Sequence, residues 1–544
     1  MRRNTFLLVI ILLVTAAGAA VTYALTVPSI GEKSLKAYFV NPDIYESRIS
    51  GHRQEVLDPD ALRFEGERVP YDAETNTVYI PQSLHSEEWE GSLSATLAGA
   101  GLCITCRDEQ EDGIGQSDLP DKKESIADNR IYKVALITED HYMEGKLIFT
   151  GLPAVLITHN DGEIEFKEKH SGKITVIDPY RREHSESACS FHVRGNTSVY
   201  FDKKSYRITL QDSVGSKNKL SYLGMREDDD WVLNSLSTDL TLSREKVCYD
   251  LWQRLNEMEE APVPSASIEY AELFLNQSYR GVYGLMTPVD AKLMNMKQGD
   301  LLYKINTWAE EITAPGKLTD YNGQPQIFNE NGFEYAQIEY PGSLGGEYIW
   351  DPMEAYQDFV YETRDPAELK EKGVALDKEN FILHELFCEM TRAADNTWKN
   401  TYLAARKDEN GMYTFSETIW DLNYTFGDQF KWNLKKRNTV FNKKSSSEYK
   451  LRFDRGYGYT TLAAVDPDVF PRSRDKWNMW RENGIGPELL TEMFEKERKL
   501  LADSGALLRN EQKWEGSTAA DYPEIYSWIG ERFRFFDAMY DRDE

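Results

Sequence analysis

The sequence predicts an α+β protein of bilobal plan, an antiparallel sheet followed by a mainly helical half, with a smaller β-rich region and an apolar segment ahead of both. Two observations carry that expectation. From Ile131 through LPAVLITHNDGEIEF, GKITVIDP, CSFHVRGNTS and KKSYRITL, apolar residues recur with the period of two that half-buried antiparallel strands require. Beyond about residue 350 the spacing becomes helical, in AYQDFVYETRD, FILHELFCEMTRAAD, PELLTEMFEKERKLLADS and EIYSWIGERFRFFDAMYD. A sheet layer followed by helices makes two lobes around a cleft, where ligand sites prefer to lie.

The chain opens with Arg2 and Arg3 before an uncharged stretch from Asn4 to Gly31. The apolar run FLLVIILLV lies at its heart, and the roughly 22 residues from Phe6 to Val27 suffice to cross a bilayer about 30 Å thick. With the arginines held in the cytoplasm, everything beyond is exported. Residues 1–29 are expected to be an uncleaved signal anchor, the rival being a signal peptide cut at Ala17-Gly18-Ala19.

Residues 30–150 read as a β-rich region of short strands and turns, with a hairpin where Asp72 to Asn76 precedes Thr77-Val-Tyr-Ile. Within it the polar stretch 107–130 reads as an acidic linker or exposed loop. Trp89 is taken there as an exposed aromatic open to sugar binding. Residues 151–544 make the main domain. It holds a helix between Thr241 and Leu255, a tight hairpin AELFLN-QSYR-GVYGLM, and an insertion at about 428–485. The basic run KKRNTVFNKKSSSEYKLRFDR in that insertion is either a guide for an acidic substrate or a solvated loop. The five cysteines are too few for a disulfide framework, and Cys103-Ile-Thr-Cys106 is either a small disulfide loop or two partly buried thiols.

Asp and Glu number 91 against 63 Lys and Arg, a formal net charge of −28. That balance opposes nucleic-acid binding and adhesion to anionic headgroups, both of which need clustered cations. Phosphate chemistry stays open, since a nucleotide site needs only a few local cations and a metal.

The densest run of candidate groups is DNTWKNTYLAARKDENGMYTFSETIWDLNYTFG, residues 395–427. Asp395 and Asn400 lie in a loop after a helix that ends near Ala394, and Asp421 follows the strands TYLAAR and YTFSETIW. A carboxylate at the head of such a loop can accept the proton of a substrate hydroxyl. An amide oxygen and a second carboxylate, brought alongside by the hairpin, can hold Mg²⁺. The plain alternative is that Asp395 caps a turn and Asp421 ends a strand. Upstream, strand alternation puts Lys204 with Tyr206, Ile208 and Leu210 on the apolar face and Lys203 on the other. A lysine on a buried face is paired or binds an anion, so Lys204 either meets a phosphate or snorkels from the strand end.

The blocks RGNTSVYFDKKSYRITL, LSYLGMREDDDWVLNS with Asp239 and Arg244 after it, ELFLNQSYRGVYGL and WDLNYTFG resemble, in order, those of the spore coat protein H (CotH) kinase family. The resemblance runs from about Gly151 to the C-terminus. It implies an atypical, secretory-type protein kinase fold that transfers phosphate from ATP to Ser/Thr hydroxyls of protein substrates, with Mg²⁺ or Mn²⁺ as cofactor. Carried onto this sequence, it implies Asp395 as the catalytic base and Asn400 and Asp421 as metal ligands. Lys204 would pair nucleotide phosphates, with Lys203 as the neighbouring alternative and Arg194 and Arg244 as further cofactor-binding cations. The plain readings are a turn salt bridge for Arg194, a helix N-cap for Asp239, an ion pair for Arg244 and an exposed edge charge for Glu272.

The sequence departs from the family pattern in four places. It has no G-x-G-x-x-G loop, only Gly195 in the RGNTS turn. TRAAD stands before the base in place of H-R-D. Thr287 stands near the expected hinge where Glu is common, and Asn423 where a second Asp is common. Two further readings therefore remain: a non-catalytic cell-surface binding protein on a kinase-like frame, and AMP transfer or glutamylation on the same fold.

Overall fold

The computed structural model describes residues 33–106, 120–195, 199, 201–307, 318–319, 325–328, 334–341, 349–428, 458–514 and 522–540, less 161, 163, 165, 167, 397 and 398. The segment expected to anchor the chain (1–29), the RGNTS turn beyond Gly195 and the basic run 435–455 lie outside the described residues. Among the described residues no helix is long and apolar enough to cross a membrane. The fold is α+β, and it divides into two compact units.

The first unit takes in the chain up to Ala154, together with Ile177–His184 and Phe274–Tyr279. Strands β1 (Lys33–Ser34), β3 (Leu62–Phe64), β4 (Glu67–Arg68) and β7 (Ser92–Ala95) form one sheet in the order β1-β7-β3-β4. A second sheet joins β5 (Tyr71–Asp72), β6 (Thr77–Pro81), β10 (His141–Thr150), β9 (Tyr132–Ile137) and β8 (Gly101–Cys106), with β2 (Arg53–Val56) also on β10. Helices α1 (Pro42–Ile49) and α2 (Lys122–Ala127) complete the unit. The hairpin at Asp72–Thr77 is present as β5–β6, turning through Asn76 at φ 51°.

One expectation changes here and two open alternatives are decided. The acidic stretch after Cys106 is not a linker between domains, because β8 and β9 on either side of it pair antiparallel, Gly101 opposite Ile137. Trp89 is 5 % exposed, packs its ring tilted on Phe149 with centroids 4.3 Å apart, and its Nε1–H donates to the Pro120 carbonyl at 3.1 Å. An indole keeps its apolar body in a core when its N–H finds a partner, so Trp89 is core and not a sugar platform. Cys103 and Cys106 are free thiols on β8, where residues three apart face opposite sides and cannot bridge.

The second unit holds the rest. Strands β11 (Ala154–His159), β12 (His170–Asp178), β13 (Glu183–Arg194), β14 (Ser205–Gln211), β15 (Asp230–Asn234), β16 (Ile268–Leu275) and β17 (Ser278–Met286) close a barrel in the order β11-β12-β13-β14-β15-β17-β16. Its antiparallel register puts Phe191 opposite Ile208 and Arg194 opposite Ser205. The β16–β17 hairpin turns on Asn276 and Gln277, both at positive φ (47° and 60°), the two-residue turn whose twist matches that of the strands.

Barrel and helices are joined by a buried ion pair. Glu272 is wholly buried and accepts two hydrogen bonds at 2.9 Å from Arg509 of α10 (Ala506–Lys513). This overturns the reading of Glu272 as an exposed edge charge. Beside it, Asn510 Oδ1 accepts the Val282 N–H at 3.1 Å, an approach that only Gly281 permits, since a Cβ there would stand 2.5 Å from that oxygen.

The later half carries more sheet than expected. Strands β18 (Leu301–Ile305), β19 (Leu318–Thr319), β20 (Pro325–Phe328), β21 (Glu334–Tyr340), β22 (Val374–Leu376), β23 (Thr401–Lys407) and β24 (Tyr413–Ile419) form a seven-stranded sheet, order β19-β20-β21-β18-β23-β24-β22. The helices are α3 (Arg244–Asn256), α4 (Asp351–Asp358), α5 (Pro366–Glu371), α6 (Lys378–Thr391), α7 (Gly458–Val465), α8 (Val469–Glu482), α9 (Pro487–Asp503), α10 and α11 (Tyr522–Tyr540). Within the stretch expected to be an insertion, α7 and α8 dock on α6. Arg472 pairs with Glu379 at 2.6 Å, Lys476 with Glu379 at 3.3 Å, and Lys378 with Asp466.

Because the Glu272–Arg509 pair is buried, removing one partner strands a charge. Arg509→Met is expected to lower unfolding stability by about 3–5 kcal/mol, whereas the double replacement Glu272→Met with Arg509→Met recovers most of it. Urea unfolding of the single and double variants measures this.

Candidate active site

Helix α6 is capped by Asp377, whose carboxylate accepts the Asn380 N–H at 3.2 Å, and ends on Arg392 in the left-handed region at φ 53°. That stop turns the chain into the short turn Ala394–Asn396, which carries Asp395. Asn400 opens β23 at φ 54°, held by its N–H to the Ile305 carbonyl at 2.9 Å. Its Nδ2 donates to Asp395 Oδ2 at 3.2 Å, and Lys399 Nζ lies 2.9 Å from the same oxygen. The hairpin β23–β24 then returns the chain to Trp420 and Asp421, with Asp421 at φ 60°. One buried amide ties the two loops: Asn396 Nδ2 donates to the Asn400 carbonyl (3.2 Å) and to the Trp420 carbonyl (2.5 Å).

The carboxyl of Asp421 is held above its ordinary range, first by burial and then by the negative charge of Asp395. Arg194, Lys399 and Lys304 oppose that rise. Arg194 leaves the end of β13 and lays its guanidinium 5.5 Å above the Trp420 ring. Another carboxyl joins them from the first turn of α3. Glu245 is buried and pushed up to about 8, by burial and then by Asp421, while its Oε2 accepts from Asn234 Nδ2 at 2.6 Å. Asp395, Asn400, Asp421 and Arg194 thus come together.

The lysines do otherwise. Strand β14 begins at Ser205, so the alternation that buries Tyr206, Ile208 and Leu210 does not reach back to Lys204. Lys204 is half-buried and donates to the Val199 carbonyl at 2.7 Å. Lys203 is the buried one, donating to the Val282 carbonyl (2.5 Å) and Asn510 Oδ1 (2.9 Å), with its ammonium 4.9 Å over the Tyr283 ring. Burial pushes it down to about 7. Arg244 is likewise committed: it pairs with Asp239, and its Nε donates to the Thr425 carbonyl at 3.1 Å. A guanidinium 3 % exposed and satisfied on both arms is a structural ion pair, so its expected place among the cofactor-binding cations is corrected. Asp239 acts as a cap, accepting the Arg244 N–H at 2.8 Å.

Residue-by-residue reading missed Glu245, Lys399 and Lys304. Lys399 had a usable signal, its place next to Asn400. Glu245 had a weaker one, since a carboxylate in a helix's first turn is satisfied by the helix dipole alone.

Among the described residues no group of three or more His, Cys, Asp or Glu is arranged to hold a metal. The oxygens of Asp421 and Asn400 still suit Mg²⁺, which takes one or two carboxylates and completes its shell with substrate phosphates and water. The Asn400 amide, having given Nδ2 to Asp395, keeps Oδ1 as its acceptor.

The family model described as CotH kinase protein matches residues 191–536, more than half of the chain. The chain belongs to the CotH kinase family. The match takes in Arg194, Asp395, Asn400 and Asp421 alike. No curated protein matches this CotH-family chain.

Behind the site, α6 and β24 are cross-linked by His384 Nδ1 and Glu417 Oε2 at 3.2 Å, both buried. Burial lowers His384 from 6.5 to about 3 and raises Glu417 from 4.5 to about 8, each toward its neutral form. Glu417 contributes stability that is full below 4.5 and is lost as pH rises through 8. His384 contributes stability that is full above 6.5 and is lost as pH falls through 3. The pair alone therefore gives a plateau between 4.5 and 6.5 with a decline on either side. In Glu417→Gln the alkaline decline disappears while the acid one remains, which melting temperatures across pH will register.

Proposed function

We propose that the chain is an exported, membrane-tethered protein kinase that transfers the γ-phosphate of ATP to Ser or Thr hydroxyls of envelope or secreted proteins. The observation that carries this reading is the Asn396 amide, which fixes the Asp395–Asn400 loop against the Asp421 loop. Family membership supports phosphoryl transfer, and the charged apolar N-terminus supports export and tethering.

In this reading Asp395 takes the proton of the acceptor hydroxyl as its oxygen attacks the γ-phosphorus, and the bond to the β–γ bridging oxygen breaks to release ADP. Lys399 holds the Asp395 carboxylate in place and offers positive charge beside the transferring group. Arg194, braced on Trp420, would offer a cation to the anionic phosphates. Asp421 and Asn400 would hold Mg²⁺ or Mn²⁺, which supplies charge neutralisation of the phosphate oxygens. Phosphoryl transfer asks mainly for positioning and electrostatic stabilisation, which these side chains provide. The net charge of −28 leaves nucleic acid without a footing as partner.

Purified protein given Mg²⁺ and γ-labelled ATP is expected to label itself or an added protein substrate at Ser or Thr. Asp395→Ala should cut that labelling by at least about 100-fold, the usual worth of a general base. Undiminished labelling in the variant would remove Asp395 from its role. A protein that neither labels nor gains melting temperature with Mg·ATP is the non-catalytic binding protein instead.

A further inference from the structure

The loop from Asp421 to Phe426 has an internal bond, Thr425 Oγ1 to the Leu422 carbonyl at 3.0 Å, and is otherwise held from outside. Asp421 and Phe426 both sit in the left-handed region, at φ 60° and 51°, a conformation that costs a non-glycine residue about 1–3 kcal/mol and persists only where the surroundings impose it. The impositions come largely from one direction. The Asp421 N–H donates to the Tyr249 hydroxyl at 3.4 Å. Asn423 Nδ2 donates to Thr238 Oγ1 at 2.6 Å. The Thr425 carbonyl accepts from Arg244 Nε at 3.1 Å, and Cys248 Sγ lies 3.6 Å from Thr425 Oγ1. From other sides, the Phe426 N–H is given to the Thr391 carbonyl of α6 at 2.7 Å, and its ring meets Phe494 of α9 edge-on at 4.9 Å.

Tyr249, Arg244 and Cys248 belong to α3 and Thr238 to the turn before it. Arg244 is in turn fixed by Asp239, which accepts both its backbone N–H and its guanidinium. That turn is anchored again by Tyr522 of α11, whose hydroxyl donates to the Thr241 carbonyl at 3.1 Å.

We propose that the N-terminal half of α3 and the turn before it are the positioning element of the acidic loop, with Arg244 and Tyr249 as positioning residues that set where the Asp421 carboxylate stands. The proposal rests on the reading of Asp421 as a metal ligand, and it gives α3 control of metal affinity without contact to metal or nucleotide. Tyr249 acts on the backbone of Asp421 itself. Arg244 acts four residues on, where it fixes the carbonyl that follows Tyr424.

Three variants and two measurements test it. Tyr249→Phe removes the hydroxyl and keeps the ring. Arg244→Lys keeps a cation for Asp239 but cannot reach both it and the Thr425 carbonyl, and Arg244→Met removes both arms. Hydrogen exchange of the amides in 421–427 is expected to quicken in all three. The Mg²⁺ concentration for half-maximal labelling should rise about 10- to 100-fold, the usual cost of losing an outer-shell partner, while KM for ATP at saturating Mg²⁺ stays near that of the parent. A merely structural role would lower melting temperature without separating the Mg²⁺ requirement from the ATP KM.

Unchanged exchange in Tyr249→Phe and Arg244→Lys overturns the proposal, and so does a loosened loop whose Mg²⁺ requirement has not moved. If the parent protein shows no labelling at all, the kinase reading fails on its own. The exchange measurement then still decides whether α3 positions the loop.

Discussion

Everything around the site answers to one constraint: the carboxyl of Glu245 is buried and that of Asp421 partly so, while Asp395 stands close by. Removing a carboxylate from water costs several kcal/mol unless protons, hydrogen bonds or cations meet it. This protein uses all three. Asn234 donates to Glu245, Lys399 and Asn400 converge on one oxygen of Asp395, and Arg194 faces the group from across the Trp420 ring. The electrostatic deficit that remains is what a divalent cation would fill.

That constraint explains why buried ion pairs appear where a simple core would have sufficed. The Asp239–Arg244 and Glu272–Arg509 pairs lie away from the reacting groups, yet each fixes an element that carries or supports the site. A buried pair adds little to net stability compared with well-packed apolar residues. What it contributes is a single allowed arrangement, because a shifted helix would leave a charge without its partner.

Much of this was legible in the sequence, and the failures have physical causes. Period-two alternation located β12 to β14, and the spacing of Asp395 and Asn400 put both at the head of one loop, since a short loop leaves little freedom over so few residues. Alternation failed at Lys203 and Lys204 because β14 starts one residue too late for the face of either to be read from the strand. Of the seven-stranded sheet the sequence showed the hairpin strands β23 and β24, while their partners went unread, among them β22 with three residues. Glu245 and Lys304 meet Asp421 only through long-range folding, which no local pattern encodes. Trp89 shows the same limit from the other side: composition does not tell an exposed indole from one whose N–H has found a carbonyl.

The five cysteines are all free, and four of them are buried. Without a covalent staple, the native state is reached through burial and pairing alone. Its fold is thereby indifferent to the thiol–disulfide poise of its surroundings, a form of independence that disulfide-built exported domains lack.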